Sequence, residues 1–265
     1  MAAPVVICTS AFGADSVRQH GQGHFISMIA RAGASGMEVR GELFTARDRP
    51  HEALGTRIRA AGLFCVYSST LKLFADGSGQ LNEAIGDELA IAQALGACSL
   101  KVSLGQLPMG PAEVAAAVAS LGRRLEGTRV QLLIENDQTL SGGRIAPLRQ
   151  CLDACRLQHL DIGMTFDVGN WYWTGNDPQE AARTLGEFVA YVHCKGVASH
   201  GKQLSARVPD DTELETWATL WQHFPAELPR AIEFPLVADD DEALVAHAGH
   251  QVERLGALGH QEETA

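Results

Sequence analysis

The chain has 265 residues, of which 46% are apolar and 20% are charged, and its net charge is -11 at pH 7. This composition is typical of a globular protein that buries a sizeable core as one large domain or two small ones. The acidic balance argues against a nucleic-acid partner, because neutralising phosphates requires an excess of Lys and Arg. No apolar run approaches the roughly 20 residues that span a bilayer, and MAAPVVICTS lacks the basic region of a signal peptide. We therefore expect a cytoplasmic protein that binds neither nucleic acid nor membrane.

Short β-branched runs alternate with helical patterns along the whole chain. The predicted strands cover residues 5–8, 36–39, 63–67, 98–103, 130–134, 163–166, 189–192 and 231–232. The predicted helices cover residues 24–34, 52–61, 81–95, 111–125, 144–157, 178–188, 212–224 and 241–258. This pattern gives eight strand-then-helix units of roughly 30 residues each, which is the repeat of a (β/α)8 TIM barrel.

The strands are continuous apolar runs without strict alternation, which indicates burial on both faces and hence a parallel sheet wrapped by helices. An open doubly wound sheet is the alternative, but the segment SAFGAD after the first strand lacks the G-x-G-x-x-G spacing of its phosphate loop. No Pro/Ser-rich linker divides the chain. We predict one barrel domain over residues 1–265, with residues 259–265 as a polar tail.

Four polar residues stand at the ends of the last four predicted strands: Glu135, Asp167, His193 and Glu233. Strand ends of a barrel converge at one mouth, so these side chains are expected to meet there. Each alone is more often a helix cap or a satisfied core residue, but three carboxylates and an imidazole in one buried mouth repel unless a cation neutralises them. An oxygen-rich set with one nitrogen favours Mn²⁺ or Mg²⁺, with Co²⁺, Fe²⁺ or Zn²⁺ as alternatives.

The segments LLIEND, FDVGNWYWTGNDP, YVHCKGV and AIEFPL resemble the motifs of the xylose isomerase-like TIM-barrel superfamily. That group includes D-tagatose 3-epimerase and hydroxypyruvate isomerase. The resemblance implies that Glu135, Asp167, His193 and Glu233 bind one divalent cation and that Glu135 and Glu233 form a catalytic proton-transfer pair. SAFGADSVRQHGQG and DVGNWYW resemble the epimerases found with 2-ketogluconate utilisation more than they resemble hydroxypyruvate isomerases.

The chemistry that fits such a pair is proton abstraction next to a carbonyl. A cation chelated by the carbonyl and its neighbouring hydroxyl would stabilise the enediolate formed when a carboxylate removes the proton. Returning the proton to the same carbon gives epimerisation, and returning it to the adjacent carbon gives isomerisation. We therefore predict a metal-dependent epimerase or isomerase that acts on a sugar or a sugar acid.

Further residues are predicted to contact the substrate or line the mouth. They are Asn170, Lys195, Arg207, Glu38, Arg40, Lys101, Trp171 and Trp173. Asn170 replaces a histidine common in the family, and it can bond a hydroxyl but cannot shuttle protons. A salt bridge inside the barrel is the alternative for the charged residues, and plain packing is the alternative for the tryptophans. The cations favour an anionic substrate such as a sugar acid.

Three other functions remain as alternatives. A metal-dependent lyase, such as a dehydratase of a keto-inositol or sugar acid, would use the same proton abstraction with loss of hydroxide. A non-catalytic sugar-acid binding barrel would keep the site without turnover. An endonuclease-like phosphodiesterase is less favoured, because YSST, LKVSLG and ARVPDD lack the extra histidines of its zinc sites. A homodimer or homotetramer would suit the exposed helices of a barrel.

Overall fold

A computed structural model of the chain describes residues 2–201, 203–225 and 227–259. The strands are β1 (Val5–Cys8), β2 (Gly36–Arg40), β3 (Phe64–Phe74), β4 (Ser99–Gly105), β5 (Gln131–Glu135), β6 (Ile162–Asp167), β7 (Val189–Cys194), β8 (Gly196–His200), β9 (Gln203–Arg207) and β10 (Arg230–Ile232). All except β8 and β9 pair in parallel and close into a barrel in the order β1-β10-β7-β6-β5-β4-β3-β2. The predicted (β/α)8 barrel is therefore confirmed.

Helices surround this barrel. They are α1 (Ala14–His20), α2 (Ile26–Arg31), α3 (His51–Ala60), α4 (Ile85–Leu95), α5 (Pro111–Leu125), α6 (Ile145–Leu157), α7 (Asn170–Thr174), α8 (Pro178–Leu185), α9 (Asp211–Leu220) and α10 (Asp241–Gly256). Several begin at a local cap: the Asp240 carboxylate accepts from Ala243 N at 2.8 Å, as expected for an N-cap aspartate. α4 ends at Gly96, whose left-handed backbone (φ 64°) suits glycine.

Four of the described elements were not predicted from the sequence. α1 and α7 are short helices, and β8 and β9 form an antiparallel hairpin after β7. In addition, β3 runs on to Phe74, past the predicted end at residue 67, because it keeps pairing with β4 after a register shift between Ser68 and Lys72. The predicted helices 178–188 and 212–224 end instead in 3-10 turns at Gly186–Phe188 and Trp221–His223.

Two separate cores stabilise the barrel. The larger one lies between the strands and the helices, and the smaller one fills the barrel interior. The interior core consists of Val6, Cys8, Val66, Leu133, Tyr191 and Ala231. Fully burying a side chain such as Leu133 contributes roughly 1.5–3 kcal/mol. Side chains alternate between the two faces of a strand. The residue two positions after each of these core residues therefore points into the same interior and lies nearer the C-terminal mouth of the barrel.

Within the described residues, no helix combines the length and the apolar character needed to cross a membrane. The predicted polar tail, residues 259–265, falls outside the described residues except for Gly259. The assignment of residues 1–265 to a single domain stays a prediction.

Candidate metal centre

The strands bring the four predicted ligands together at the mouth of the barrel. Asp167 on β6 pairs directly with His193 on β7, and Glu135 on β5 pairs with Thr165, two residues before Asp167. Glu233 follows β10, where its backbone N–H donates to Cys194 O at 3.1 Å. One ligand atom each of Glu135, Asp167, His193 and Glu233 lies within 4.8 Å of the others.

His193 stands at the centre of this group, and its two ring nitrogens face different partners. Nε2 lies 2.7 Å from Glu38 Oε2. Nδ1 faces three carboxylate oxygens: Glu135 Oε1 at 2.9 Å, Glu233 Oε2 at 3.2 Å and Asp167 Oδ2 at 3.9 Å. An imidazole nitrogen surrounded in this way needs a positive charge, either its own proton or a bound cation.

Asp167 is held by the backbone that follows β6. Its Oδ1 accepts from Gly169 N at 2.9 Å and from Asn170 N at 3.0 Å. The Asn136 side chain clamps the Asp167 backbone, accepting from its N–H at 2.8 Å and donating to its carbonyl at 2.9 Å. These bonds leave Oδ2 turned toward the cluster.

The donor set fits a divalent cation. Among the described residues, Asp167 Oδ2 and His193 Nδ1 are buried and lack a hydrogen bond of good direction. Asp167 Oδ2 lies 2.7 Å from Lys195 Nζ, and His193 Nδ1 lies 2.9 Å from Glu135 Oε1. Both pairs are therefore close but poorly aligned for a hydrogen bond. Inward-turned carboxylate oxygens with one imidazole nitrogen are the ligands of Mn²⁺, Zn²⁺ and related ions.

Three cations of the protein lie inside the same cluster. Lys101 Nζ contacts Glu135 Oε2 at 2.5 Å, and Arg40 Nη1 contacts Glu233 Oε1 at 2.7 Å. Lys195 Nζ lies between Asp167 Oδ2 at 2.7 Å and Glu233 Oε2 at 2.8 Å. The salt bridges considered as the alternative to substrate contact are thus present, and they supply much of the neutralising charge that the sequence argument assigned to a metal alone.

The electrostatic balance keeps the two glutamates ionised. Burial raises the pKa of Glu135, but Lys101 and His193 outweigh it and bring that pKa down to about 2. For Glu233 burial is likewise outweighed, by Lys195, His193 and Arg40, so its pKa falls well below the usual value. Burial raises the pKa of Asp167 to about 7, against the lowering effect of Lys195. Glu135 and Glu233 are therefore carboxylates at neutral pH and can accept a proton.

Glu38 occupies a different position from the predicted substrate contact. It is fully buried behind His193. Its carboxylate also accepts from Tyr191 Oη at 2.9 Å and from Arg40 Nη1 at 3.1 Å. All of these partners are protein groups, so the geometry favours a structural role over substrate contact.

Asn170 and Arg207 are also engaged by the protein. Asn170 is buried; its amide donates to Asn136 O at 2.8 Å and accepts from Gln138 Nε2 at 3.1 Å. Arg207 lies on β9 and pairs with Asp210 and Glu213 at the start of α9, each at 3.0 Å. A substrate contact by either side chain would have to replace these bonds.

The two tryptophans differ. Trp171 is fully buried and packs on Phe166, with the ring centroids 5.4 Å apart. The prediction that Trp171 walls the mouth is therefore wrong, because the first turn of α7 directs its ring into the core. Trp173 is partly exposed, and its contact with substrate stays a prediction.

Sequence reasoning missed several residues that shape the cluster. Tyr191 could have been found by parity, because it lies two residues before His193 on the same face of β7. Asn136 and Gly169 carry no such signal. A Cβ at Gly169 would lie 2.7 Å from Lys195 Cγ, so this glycine gives the Lys195 side chain room to reach Asp167.

In TIM-barrel enzymes the active site lies where this cluster lies, at the C-terminal ends of the strands. The sequence matches the family described as xylose isomerase-like TIM barrel over residues 26–226, and the chain belongs to that family. The resemblance inferred from the strand-end motifs is confirmed. No curated protein sequence gives a significant match.

Solved structures share the fold at low identity. The IolI protein with a binding zinc atom has a TM-score of 0.71 at 10% identity, over 96% of this chain and 99% of its own. D-psicose 3-epimerase in the presence of D-fructose has a TM-score of 0.65 at 13% identity, over 96% and 99%. The probable 3-DHS dehydratase AsbF from Bacillus anthracis has a TM-score of 0.65 at 13% identity, over 92% and 97%. At these identities the likeness establishes the fold.

Proposed function

We propose that this protein is a divalent-metal-dependent isomerase or epimerase that acts on a sugar or a sugar acid. The observation that carries the proposal is the convergence of Glu135, Asp167, His193 and Glu233, with Asp167 Oδ2 and His193 Nδ1 turned inward. Solved structures of the same fold named for D-psicose 3-epimerase and for IolI with zinc support this class of reaction and a divalent cation.

The cluster offers one nitrogen and three carboxylate groups as ligands. When bound there, a divalent cation would supply Lewis-acid polarisation of a substrate carbonyl and neutralise the charge that develops on its oxygen. We propose Mn²⁺ or Mg²⁺, in keeping with the oxygen-rich ligand set. Zn²⁺ belongs in the same test, because the IolI structure contains it.

Glu135 and Glu233 are the proposed proton-transfer pair. They approach the cluster from β5 and from the end of β10, which β6 and β7 separate in the barrel order. Each has one oxygen held by a cation, Lys101 Nζ for Glu135 and Arg40 Nη1 for Glu233. The other oxygen of each lies close to His193 Nδ1, and that of Glu233 also contacts Lys195 Nζ at 2.8 Å. We infer that these two ionised carboxylates act on one substrate from different sides.

The reaction then follows from where the proton returns. One glutamate removes the proton next to the carbonyl, and the substrate becomes an enediolate. Return to the same carbon from the other glutamate inverts that centre. Return to the adjacent carbon moves the carbonyl, provided that the neighbouring hydroxyl also gives its proton to the former carbonyl oxygen. Lys195, which is buried between two carboxylates, adds the positive charge that would favour a substrate carboxylate.

Solvent exchange tests the proposal. Mn²⁺-, Mg²⁺- and Zn²⁺-loaded protein is incubated in D₂O with keto sugars, including D-fructose and D-psicose, and with keto sugar acids. We expect deuterium at the carbon next to the carbonyl without loss of water. Glu135→Gln and Glu233→Gln should each lower the rate of conversion to the epimer or isomer by at least about 100-fold, because each removes one of the two proton-transfer groups while keeping its volume.

Glu88→Gln is the matched control, because Glu88 on α4 bonds to Tyr67 Oη at 2.6 Å, outside the cluster. Its rates of exchange and of conversion should equal those of the wild type. Full conversion of substrate in either cluster variant contradicts the two-carboxylate mechanism. Release of water assigns the protein to the dehydratases instead, and absence of exchange with every substrate and metal supports a non-catalytic binding barrel.

A further inference from the structure

Glu38 is a buried carboxylate that the proposed proton transfer does not use. It lies on β2 inside the barrel, whereas His193 lies on β7, and Glu38 has no solvent-exposed surface. A buried ionisable group of this kind is retained at a cost in stability unless its partners are well arranged. Its contacts therefore indicate what it does.

Three donors surround the Glu38 carboxylate. Oε2 lies 2.7 Å from His193 Nε2 and accepts from Tyr191 Oη at 2.9 Å, while Oε1 accepts from Arg40 Nη1 at 3.1 Å. A carboxylate can only accept hydrogen bonds, so His193 Nε2 carries the hydrogen in this contact. The other ring nitrogen, Nδ1, is the one that faces the cluster.

Arg40 extends this arrangement to a second proposed ligand. The same Nη1 atom that contacts Glu38 Oε1 lies 2.7 Å from Glu233 Oε1. Its Nε is held by Glu42 Oε1 at 2.9 Å, so the guanidinium is fixed from both sides. The buried Glu38 carboxylate thus contacts the His193 ring directly and is linked to Glu233 through Arg40 Nη1.

We propose that Glu38 is a positioning residue that fixes His193 with Nε2 protonated and Nδ1 presented to the divalent cation, and that steadies Glu233 through Arg40. The proposal rests on the proposed function, since it takes the cluster as a cation site. Carboxylates that orient a metal-binding histidine through its second nitrogen set both the tautomer and the ring orientation, and their removal costs roughly 10–100-fold in metal affinity.

The test is a calorimetric titration of Mn²⁺ alone, and of Zn²⁺ alone, into the metal-free full chain. Glu38→Gln leaves one acceptor oxygen for three donors and turns an amide N–H toward one of them, so we expect roughly 10–100-fold weaker binding. Tyr191→Phe removes one donor to Glu38 and should weaken binding by a smaller factor. Tyr67→Phe is the matched control, because it removes a similar buried tyrosine–glutamate bond, to Glu88, and should leave the affinity unchanged.

Nitrogen-15 NMR of the Zn²⁺-loaded wild type provides a second measurement. We expect a proton on His193 Nε2 and metal ligation through Nδ1. If the wild type binds cation and both Glu38→Gln and Tyr191→Phe bind it equally tightly, the positioning role is wrong while the proposed function stands. If the wild type binds no cation, the metal centre itself is wrong and this role falls with it. If the Glu38→Gln variant does not fold, the NMR measurement decides. Metal ligation through His193 Nε2 in the wild type would overturn the positioning role of Glu38.

Discussion

The two halves of the barrel bring different side chains to the same mouth. The second half supplies the proposed ligands, with Glu135 on β5, Asp167 on β6, His193 on β7 and Glu233 after β10. The first half supplies charged partners for three of them, with Glu38 and Arg40 on β2 and Lys101 on β4. Lys195 is the one cation of the described cluster that comes from the second half, on the residue after β7.

This division explains the orientation of Glu135 and Glu233, the proposed proton-transfer pair. Lys101 holds the outer oxygen of Glu135 and Arg40 holds the outer oxygen of Glu233. The inner oxygen of each lies near His193, and that of Glu233 also contacts Lys195. Buried charges of this kind are stable when paired and costly when one partner is removed. Glu135 and Glu233 therefore depend on the first half for the direction of their outer oxygens, whereas Asp167 is held from the second half, by Asn136 and the backbone after β6.

The largest stability effects are expected from two single variants, each of which removes one lysine of the cluster: Lys101 from the first half or Lys195 from the second. Lys101→Met and Lys195→Met should each lower the free energy of unfolding of the metal-free protein by roughly 3–5 kcal/mol, because each leaves buried carboxylates without a partner. The loss should be greater for Lys195→Met, since Lys195 contacts both Asp167 and Glu233. Saturating Mn²⁺ should restore part of the loss, as measured by urea denaturation with and without the ion.

Lys72→Met is the matched control for these variants. Lys72 pairs with Asp76 at 2.5 Å, and both side chains are more than one third exposed. Exposed pairs contribute little, so its stability should change by less than about 1 kcal/mol and should not respond to Mn²⁺. A similarly small change in Lys101→Met and Lys195→Met would show that the cluster is not held by these cations.

A smaller effect on stability is expected from Gly169→Ala, which perturbs Lys195 through steric contact alone. The added methyl group would lie 2.7 Å from Lys195 Cγ and 3.1 Å from its Cε. Such overpacking costs roughly 1–3 kcal/mol. Gly86→Ala in α4 is the control, because a Cβ there meets nothing within 4 Å, and calorimetric unfolding should find it as stable as the wild type or more so. Equal stability of the two variants would contradict the close packing of Lys195 over Gly169.

The smallest effect is expected at Arg207, outside both halves of the barrel sheet. Arg207→Ala removes partly exposed pairs with Asp210 and Glu213 and should cost less than about 1 kcal/mol. The KM for whichever substrate shows exchange should stay within a factor of two. A tenfold rise in KM with unchanged stability would instead return Arg207 to the substrate contacts first predicted for it.

Most of the barrel could be predicted because its strands are apolar runs separated by helical patterns. The hairpin of β8 and β9 was missed although QLSAR alternates polar and apolar residues and Gly201, with φ 67°, directly follows β8. This alternation is short and GVASH does not share it, so the sequence pattern predicts a loop for this segment. The other exceptions depend on tertiary contacts. α7 starts where Asp167 Oδ1 accepts from Gly169 and Asn170, a contact that exists once β6 is in place.

The convergence of the four strand-end residues could be predicted from parity and barrel geometry. The partners of the cations could not, because which carboxylate Arg40 reaches depends on the closure of β1 between β2 and β10. For the same reason Glu38 was expected to contact substrate although it lies behind His193. Trp171 was misplaced because the direction of its ring is set by α7, a helix absent from the sequence-based prediction.

The most direct test of the central claim is a crystal structure of the full chain grown with Mn²⁺, with anomalous scattering to locate the ion. We expect one Mn²⁺ bound by an oxygen of each of Glu135, Asp167 and Glu233 and by His193 Nδ1. Two results would contradict the claim of a metal centre: Mn²⁺ bound only at another place, or no Mn²⁺ between these four side chains in crystals grown at a high Mn²⁺ concentration.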